Sequence, residues 1–253
     1  MRHEVTVHEP YDSLRFGRVL MLEVAAGPPE DAPCRYCSVL APGRVMPVRK
    51  GFAPTPAILS ELDSRLGRGE SFDAIVFGGR GDPLLHRGIG AILRKIRQQI
   101  HLRTILLTDG VVLADKDIRR DAGEAADVVA YLPSPEDPLR PGRAPDRRRA
   151  FGHHVESVAA LGRETSAQIS LELPVHAALS SLDETVRAWA DAVKSIRPAR
   201  VFVIPHPEAD LGTAPELLAK VRREIGPRAG EYLPDPGFLD LRCWCGGVGP
   251  KAD

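Results

Sequence analysis

The chain has 253 residues, enough for one large domain or two small ones with a sizeable core. Its 34 Lys and Arg balance its 34 Asp and Glu, which argues against a protein that mainly coats nucleic acid or an acidic membrane. No apolar run reaches the ~18 residues of a membrane span, and the amino terminus has no apolar signal-peptide stretch. We therefore expect a cytoplasmic protein with no membrane partner.

Apolar runs alternate regularly with helical patterns along the chain. Strands are predicted at residues 18–25, 72–79, 103–110, 127–133, 167–175 and 199–207. Helices are predicted at residues 55–69, 88–100, 114–125, 147–164, 181–196 and 214–226. This order predicts an α/β fold with a parallel sheet and outer helices, either an open doubly wound sheet or part of a β/α barrel. In both, ligands bind at the carboxyl ends of the strands.

Two polar residues stand out within this pattern. His206 follows the sixth predicted strand, where it could act as a general acid or as a ligand. Glu172 interrupts the apolar run of the fifth strand, and a buried carboxylate needs a partner. A catalytic role inside a barrel and a structural ion pair are both open for Glu172.

The four cysteines form two close pairs, Cys34 with Cys37 and Cys243 with Cys245. A reducing cytosol disfavours structural disulfides, whereas C-x-x-C and C-x-C spacings let two thiolates face one metal ion or cluster. The sequence therefore predicts a metal or cluster site. Thiol redox chemistry is the alternative for the same spacings.

Four segments, in order, carry a resemblance to a known family. They are S-L-R-F-G-R at residues 13–18, C-R-Y-C at 34–37, G-R-G-D-P-L-L-H at 79–86 and T-D-G at 108–110. Together they resemble the radical S-adenosylmethionine (SAM) superfamily, of the type related to the wyosine tRNA-modifying synthases. The resemblance implies a partial (β/α)6 TIM-like barrel of parallel strands over residues 1–226. Residues 227–253 are then a cysteine-containing tail packed on the barrel.

The resemblance also implies the cofactors and the chemistry. Three thiolates would hold a [4Fe–4S] cluster whose open iron binds SAM, and an external electron donor would drive reductive cleavage of SAM to a 5′-deoxyadenosyl radical. The substrate would be a small or nucleoside-like molecule. The residues implied to line the cofactor site are Arg15, Tyr36, Gly79, Gly81, Asp82, Pro83, Thr108 and Asp109. Arg15 and His206 would face the same pocket.

The motifs depart from the family at the expected site. Glu30 stands where the first cysteine of the family would fall, and Asp82 and Asp109 replace a Glu and an Asn. The chain from Ile225 to Cys243 can span up to ~60 Å when extended, so the tail can return to the strand ends. One tail cysteine with Cys34 and Cys37 would restore an open-iron cluster.

Four thiolates would instead give a closed cluster or a structural Zn²⁺ site. The chain would then be a non-catalytic paralogue that acts as a partner or regulatory subunit.

A basic segment favours a nucleic-acid partner only weakly. Its arginines could contact RNA phosphates, but acidic residues are interleaved with them and the whole chain is neutral. These arginines are Arg140, Arg143, Arg147, Arg148 and Arg149.

Overall fold

The computed structural model describes residues 6–25, 48–79, 81–135, 144–175, 182–205 and 214–226. Its strands are β1 (Thr6–Val7), β2 (Tyr11–Ser13), β3 (Gly17–Glu23), β4 (Ala74–Phe77), β5 (Arg103–Thr108), β6 (Asp127–Tyr131), β7 (Gln168–Val175) and β8 (Arg200–Pro205). Its α-helices are α1 (Thr55–Leu66), α2 (Ile89–Gln99), α3 (Lys116–Ala122), α4 (Ala144–Glu164), α5 (Leu182–Ile196) and α6 (Ala214–Ile225). Short 3₁₀ turns follow β4 at Pro83–Leu85 and β5 at Val111–Ala114.

The sheet is parallel from β3 to β8, and these strands are neighbours in chain order. β1 and β2 lie antiparallel to β3 and extend the sheet beside it. The sheet curls into a half-barrel, which confirms the predicted α/β fold with mostly parallel strands. Each predicted strand and helix overlaps an observed one, although α4 begins at Ala144 instead of residue 147.

Alternate side chains of the strands pack into two apolar layers, one on each face of the sheet. The residues that face the helices belong to the larger cluster, which includes Leu20, Phe77, Leu106 and Trp189. The residues that face into the half-barrel form a second cluster of Phe16, Val19, Met21, Ala74, Val76, Ile105, Leu107, Val129 and Tyr131. Both faces are buried, which explains why the strands are nearly continuous apolar runs.

The hairpin of β2 and β3 closes the amino-terminal side of this inner layer. Phe16, in the turn between the two strands, packs edge-on against Phe202 of β8, with ring centroids 6.0 Å apart. Tyr11 and Phe202 also pack against the inner cluster. Burial of a large apolar side chain is worth about 1.5–3 kcal/mol, so the hairpin adds substantially to the inner core.

The predicted tail, residues 227–253, lies outside the described residues, so its packing on the barrel stays a prediction. Within the ranges that the structure describes, no helix is both long enough and apolar enough to span a membrane.

Candidate functional site

Asp82 joins the loops that follow β4 and β5. Its Oδ1 accepts a hydrogen bond from the backbone N–H of Leu84 at 2.8 Å, which caps the 3₁₀ turn. Its Oδ2 accepts one bond from the Thr108 hydroxyl at 2.5 Å and another from the N–H of Asp109 at 2.9 Å. Asp82 is only 1% exposed, so its carboxylate is cut off from water. The three hydrogen-bond donors compensate much of this lost hydration.

The loop after β5 is closed by further bonds within the same network. Thr108 Oγ1 accepts a bond from the N–H of Gly110 at 3.0 Å, and Asp109 Oδ1 accepts one from the N–H of Val111 at 2.8 Å. The structure therefore brings Asp82, Thr108 and Asp109 together at the carboxyl edge of the sheet. Gly81 and Pro83 are buried in the same loops.

Gly79 permits a close approach between the ends of β3 and β4. Its φ is +99°, and a Cβ at this position would lie 2.7 Å from Cγ of Glu23. Glu23 is the last residue of β3 and is 2% exposed, and its Oε2 lies 3.5 Å from Nε2 of His8. Sequence reasoning missed Glu23. The available signal was a carboxylate at the end of an apolar run, shortly before the first cysteine pair.

His86 closes the motif segment and is buried to 2% exposure. Its Nδ1 accepts a hydrogen bond from the N–H of Gly88 at 3.0 Å, so the proton of the neutral ring is on Nε2, which donates to the carbonyl oxygen of Ala53 at 2.7 Å. Burial lowers the pKa of His86, the Ala53 carbonyl raises it and Arg49 lowers it further. His86 ends the motif segment of residues 79–86, but the sequence alone predicts no role for it.

Arg15 and Glu172 form a buried ion pair, with Nη1 and Oε1 2.5 Å apart and side chains 4% and 0% exposed. The Arg15 guanidinium also lies 4.7 Å from the ring centre of Phe16 and 5.2 Å from that of Phe202. Arg15 lies in the turn before β3, and Glu172 lies inside β7, in register with Tyr131, the last residue of β6. The structural ion pair, one of the two alternatives for Glu172, is thus present.

The expected shared pocket of Arg15 and His206 stays a prediction, because His206 lies outside the described residues. A cofactor contact for Arg15 and a catalytic role for Glu172 stay predictions.

The loop after β6 is held to α5 by a second polar contact. Ser134 Oγ lies 2.8 Å from Oγ1 of Thr185, and both residues are buried. The indole N–H of Trp189 donates to the carbonyl oxygen of Pro133 at 3.3 Å. These hydrogen bonds tie the loop after β6 to α5.

Several predicted site residues fall outside the described ranges. These are Cys34, Tyr36, Cys37, His206, Cys243 and Cys245, together with Glu30. Within the described ranges, no group of three or more His, Cys, Asp or Glu residues is arranged to hold a metal ion. The metal site therefore stays a prediction that rests on the cysteine spacing.

The predicted basic segment is in part helical. Arg147, Arg148 and Arg149 lie near the start of α4, and Nη2 of Arg148 is 3.9 Å from Oε2 of Glu184. Arg147 donates to the carbonyl oxygen of Pro135. Two of these arginines thus already contact the protein itself, so the segment gives nucleic-acid binding no added support.

Comparison with known proteins gives two curated relatives, and no family model matches the chain. The UPF0026 protein slr1464 of Synechocystis sp. is 25% identical over 244 residues, covering 94% of this chain and 86% of that protein. The GTPase Obg of Brachyspira hyodysenteriae is 22% identical over 199 residues, covering 78% of this chain but only 29% of that protein.

Among solved structures, the chain is similar to a radical SAM methyltransferase from Sphaerobacter thermophilus. The TM-score is 0.58 at 17% identity, with 84% of this chain and 66% of that chain covered. This chain thus spans about two thirds of the length of that enzyme. A likeness at this level of identity shows the fold, and the half-barrel described above is the fold that this chain shares with a radical SAM methyltransferase.

Proposed function

We propose that this chain is a radical-SAM-type iron–sulfur protein that acts on a small or nucleoside-like substrate. Cys34, Cys37 and one cysteine of the tail would hold the cluster. The tail cysteine would replace the family cysteine that is missing at position 30, where this chain has Glu30. When bound, the cluster and SAM would supply a 5′-deoxyadenosyl radical, with electrons from an external donor.

The observation that carries this proposal is the Asp82 network at the carboxyl edge of the half-barrel. Asp82 holds residues 81–83 against Thr108 and Asp109, so two segments that resemble radical SAM motifs are fixed beside each other. Parallel α/β sheets bind their ligands at this edge. Cys34 and Cys37 lie in the connection between β3 and α1, which leaves the sheet at the same edge.

The donor chemistry fits the proposed group in part. Thiolates are soft anionic ligands suited to iron in both oxidation states, and the sequence holds four. The Asp82 carboxylate already accepts hydrogen bonds from three protein donors. These bonds fix the two loops relative to each other. We therefore assign Asp82 to positioning the loops that would surround SAM.

A second candidate function is a non-catalytic paralogue with four cysteines on a closed cluster or on Zn²⁺. Glu30 favours it, because a carboxylate is a poor substitute for a thiolate on an iron–sulfur cluster. Such a protein would keep the half-barrel and serve as a partner or regulatory subunit.

The deciding experiment uses the full chain, purified and reconstituted without oxygen. Iron, sulfide and zinc are quantified, and EPR spectra of the dithionite-reduced protein are recorded with and without SAM. About four irons per chain and a spectrum that SAM alters support an open cluster, since [4Fe–4S] centres hold four irons. Zinc, or a cluster that ignores SAM, supports the second candidate and contradicts the first.

Serine variants then identify the ligands. If a tail cysteine completes the site, Cys34→Ser and Cys37→Ser should each abolish the cluster, and one of Cys243→Ser and Cys245→Ser should do so while the other does not. Loss of the cluster in all four single variants indicates a closed site. An unchanged cluster in both tail variants contradicts tail ligation.

A further inference from the structure

The chain returns to the described fold beside the loop that follows β4. Lys50 forms a parallel bridge with His86, in which the N–H of Lys50 donates to the carbonyl oxygen of Leu85 at 2.9 Å and the N–H of Arg87 donates to that of Lys50 at 2.8 Å. Arg49 donates to the carbonyl oxygen of His86 at 3.2 Å and to Oδ2 of Asp121 at 2.7 Å. We call residues 48–53 the return segment.

We propose that His86 is a positioning residue that holds the return segment against the loop after β4 and so fixes where the chain re-enters the fold after Cys34 and Cys37. The link to a cluster rests on the proposed function. The hold of His86 on the return segment does not.

The two ring nitrogens of His86 reach two different parts of the chain. Nδ1 accepts a bond from Gly88, two residues further along the same loop, whereas Nε2 donates across to Ala53 in the return segment. Phe52 of the return segment stacks on the imidazole, with ring centres 6.4 Å apart and planes 28° apart. One bond therefore orients the ring and the other holds the return segment.

The surroundings leave the ring little freedom to find other partners. His86 is 2% exposed, and a Cβ on Gly88 would lie 3.2 Å from its Cε1 and 2.6 Å from Oγ1 of Thr55, the first residue of α1. Loss of the Nε2 donor would leave the buried Ala53 carbonyl without this bond, which is costly where water is excluded. The return segment should then open more often than the rest of the protein.

Two near-isosteric variants separate the two bonds. The amide nitrogen of His86→Gln lies near the position of Nε2 and can keep the bond to Ala53. The amide oxygen of His86→Asn lies near the position of Nδ1 and can keep only the bond from Gly88. His154→Gln and His154→Asn are the matched controls, because His154 Nε2 also bonds a backbone carbonyl, that of Tyr131, at 3.0 Å.

The measurement is hydrogen exchange of the backbone amides of Lys50 and Arg87 in the full-length protein at neutral pH. We expect exchange at both amides to be about tenfold faster in His86→Asn, and to stay within about twofold of the wild-type rate in His86→Gln and in both controls. Equal rates in the two His86 variants, or a faster rate in His86→Gln, would overturn the proposal.

A second measurement needs no variant. Nitrogen-15 NMR of the wild-type histidines should show His86 as the neutral Nε2–H form at pH 7. A cationic ring, or a proton on Nδ1, would overturn the proposal even if neither variant folds.

The iron content of the variants separates this proposal from the proposed function. If the exchange rates change as expected and His86→Asn retains less iron than His86→Gln, both are supported. If the exchange rates change as expected but no variant or wild-type protein binds iron, the role of His86 stands and the proposed function fails.

Discussion

The carboxylate of Asp82 illustrates how a single buried residue fixes the candidate site. Its two oxygens accept bonds from Leu84, Thr108 and Asp109, and every one of these partners is a donor. An amide in this position would turn one acceptor into a donor that faces another donor. We expect Asp82→Asn to lower the free energy of unfolding by about 2–3 kcal/mol, measured by urea denaturation.

Asp115→Asn is the matched control for this substitution. Asp115 caps α3 through bonds from the N–H groups of Asp117 and Ile118 to its Oδ1, and Asn caps helices about as well as Asp. Asp115→Asn should therefore change the free energy of unfolding by less than about 0.5 kcal/mol. Similar losses in both variants would show that Asp82 contributes only what an ordinary helix cap does.

The ion pair of Arg15 and Glu172 gives a second expectation for single residues. Both side chains are almost fully buried, so neutralising one leaves the other as an uncompensated charge. We expect Arg15→Met and Glu172→Gln each to cost about 3 kcal/mol or more, and the double variant to cost clearly less than their sum. Additive losses in a denaturation cycle would contradict a direct interaction.

At the scale of elements, the six parallel strands and the six α-helices follow from the sequence, whereas the short antiparallel strands β1 and β2 are not predicted. Continuous apolar runs such as residues 18–25 mark strands that are buried on both faces, and apolar spacing marks the helices. The partners of single side chains could not be found in the same way. Asp82 meets Thr108, and Arg15 meets Glu172, only after distant segments have packed, and no local pattern encodes these contacts.

The absence of a side chain at Gly79 allows the ends of β3 and β4 to pack closely. A Cβ there meets Glu23, whereas a Cβ on Gly69 meets nothing within 4 Å, although both glycines have positive φ. We expect Gly69→Ala to cost about 1 kcal/mol for its backbone alone, and Gly79→Ala to cost at least about 1 kcal/mol more because Glu23 must move. Thermal and urea denaturation would measure both, and equal losses would contradict the packing argument.

At the scale of the whole molecule, contacts between distant segments hold the half-barrel together. The turn between β2 and β3 places Phe16 against Phe202 of β8 and Arg15 against Glu172 of β7. At the carboxyl edge, Asp82 and His86 tie loops and the return segment together with hydrogen bonds. Polar groups at the carboxyl edge are therefore fixed in place, as a binding site requires.

His86 should also give the stability of the whole protein a distinct dependence on pH. Burial lowers its pKa in the folded protein below the ordinary 6.5, so the unfolded chain takes up a proton first as the pH falls. Stability from this group is complete above pH 6.5 and is lost as the pH falls from there to the folded pKa, at up to about 1.4 kcal/mol per pH unit.

The pH range in which the His86 contribution is lost is separate from the pH range in which the exposed carboxylates lose theirs. Hydrogen bonds from Arg65 and Arg119 lower the pKa values of Glu9 and Glu164 below 4.5, so their contributions are lost only in more acidic solution. Urea unfolding at steps from about pH 7.5 to about pH 5 should thus show a smaller loss of stability for His86→Gln than for the wild type. Parallel curves would show that His86 takes up its proton equally in the folded and unfolded chains, contrary to the buried neutral ring that holds the return segment.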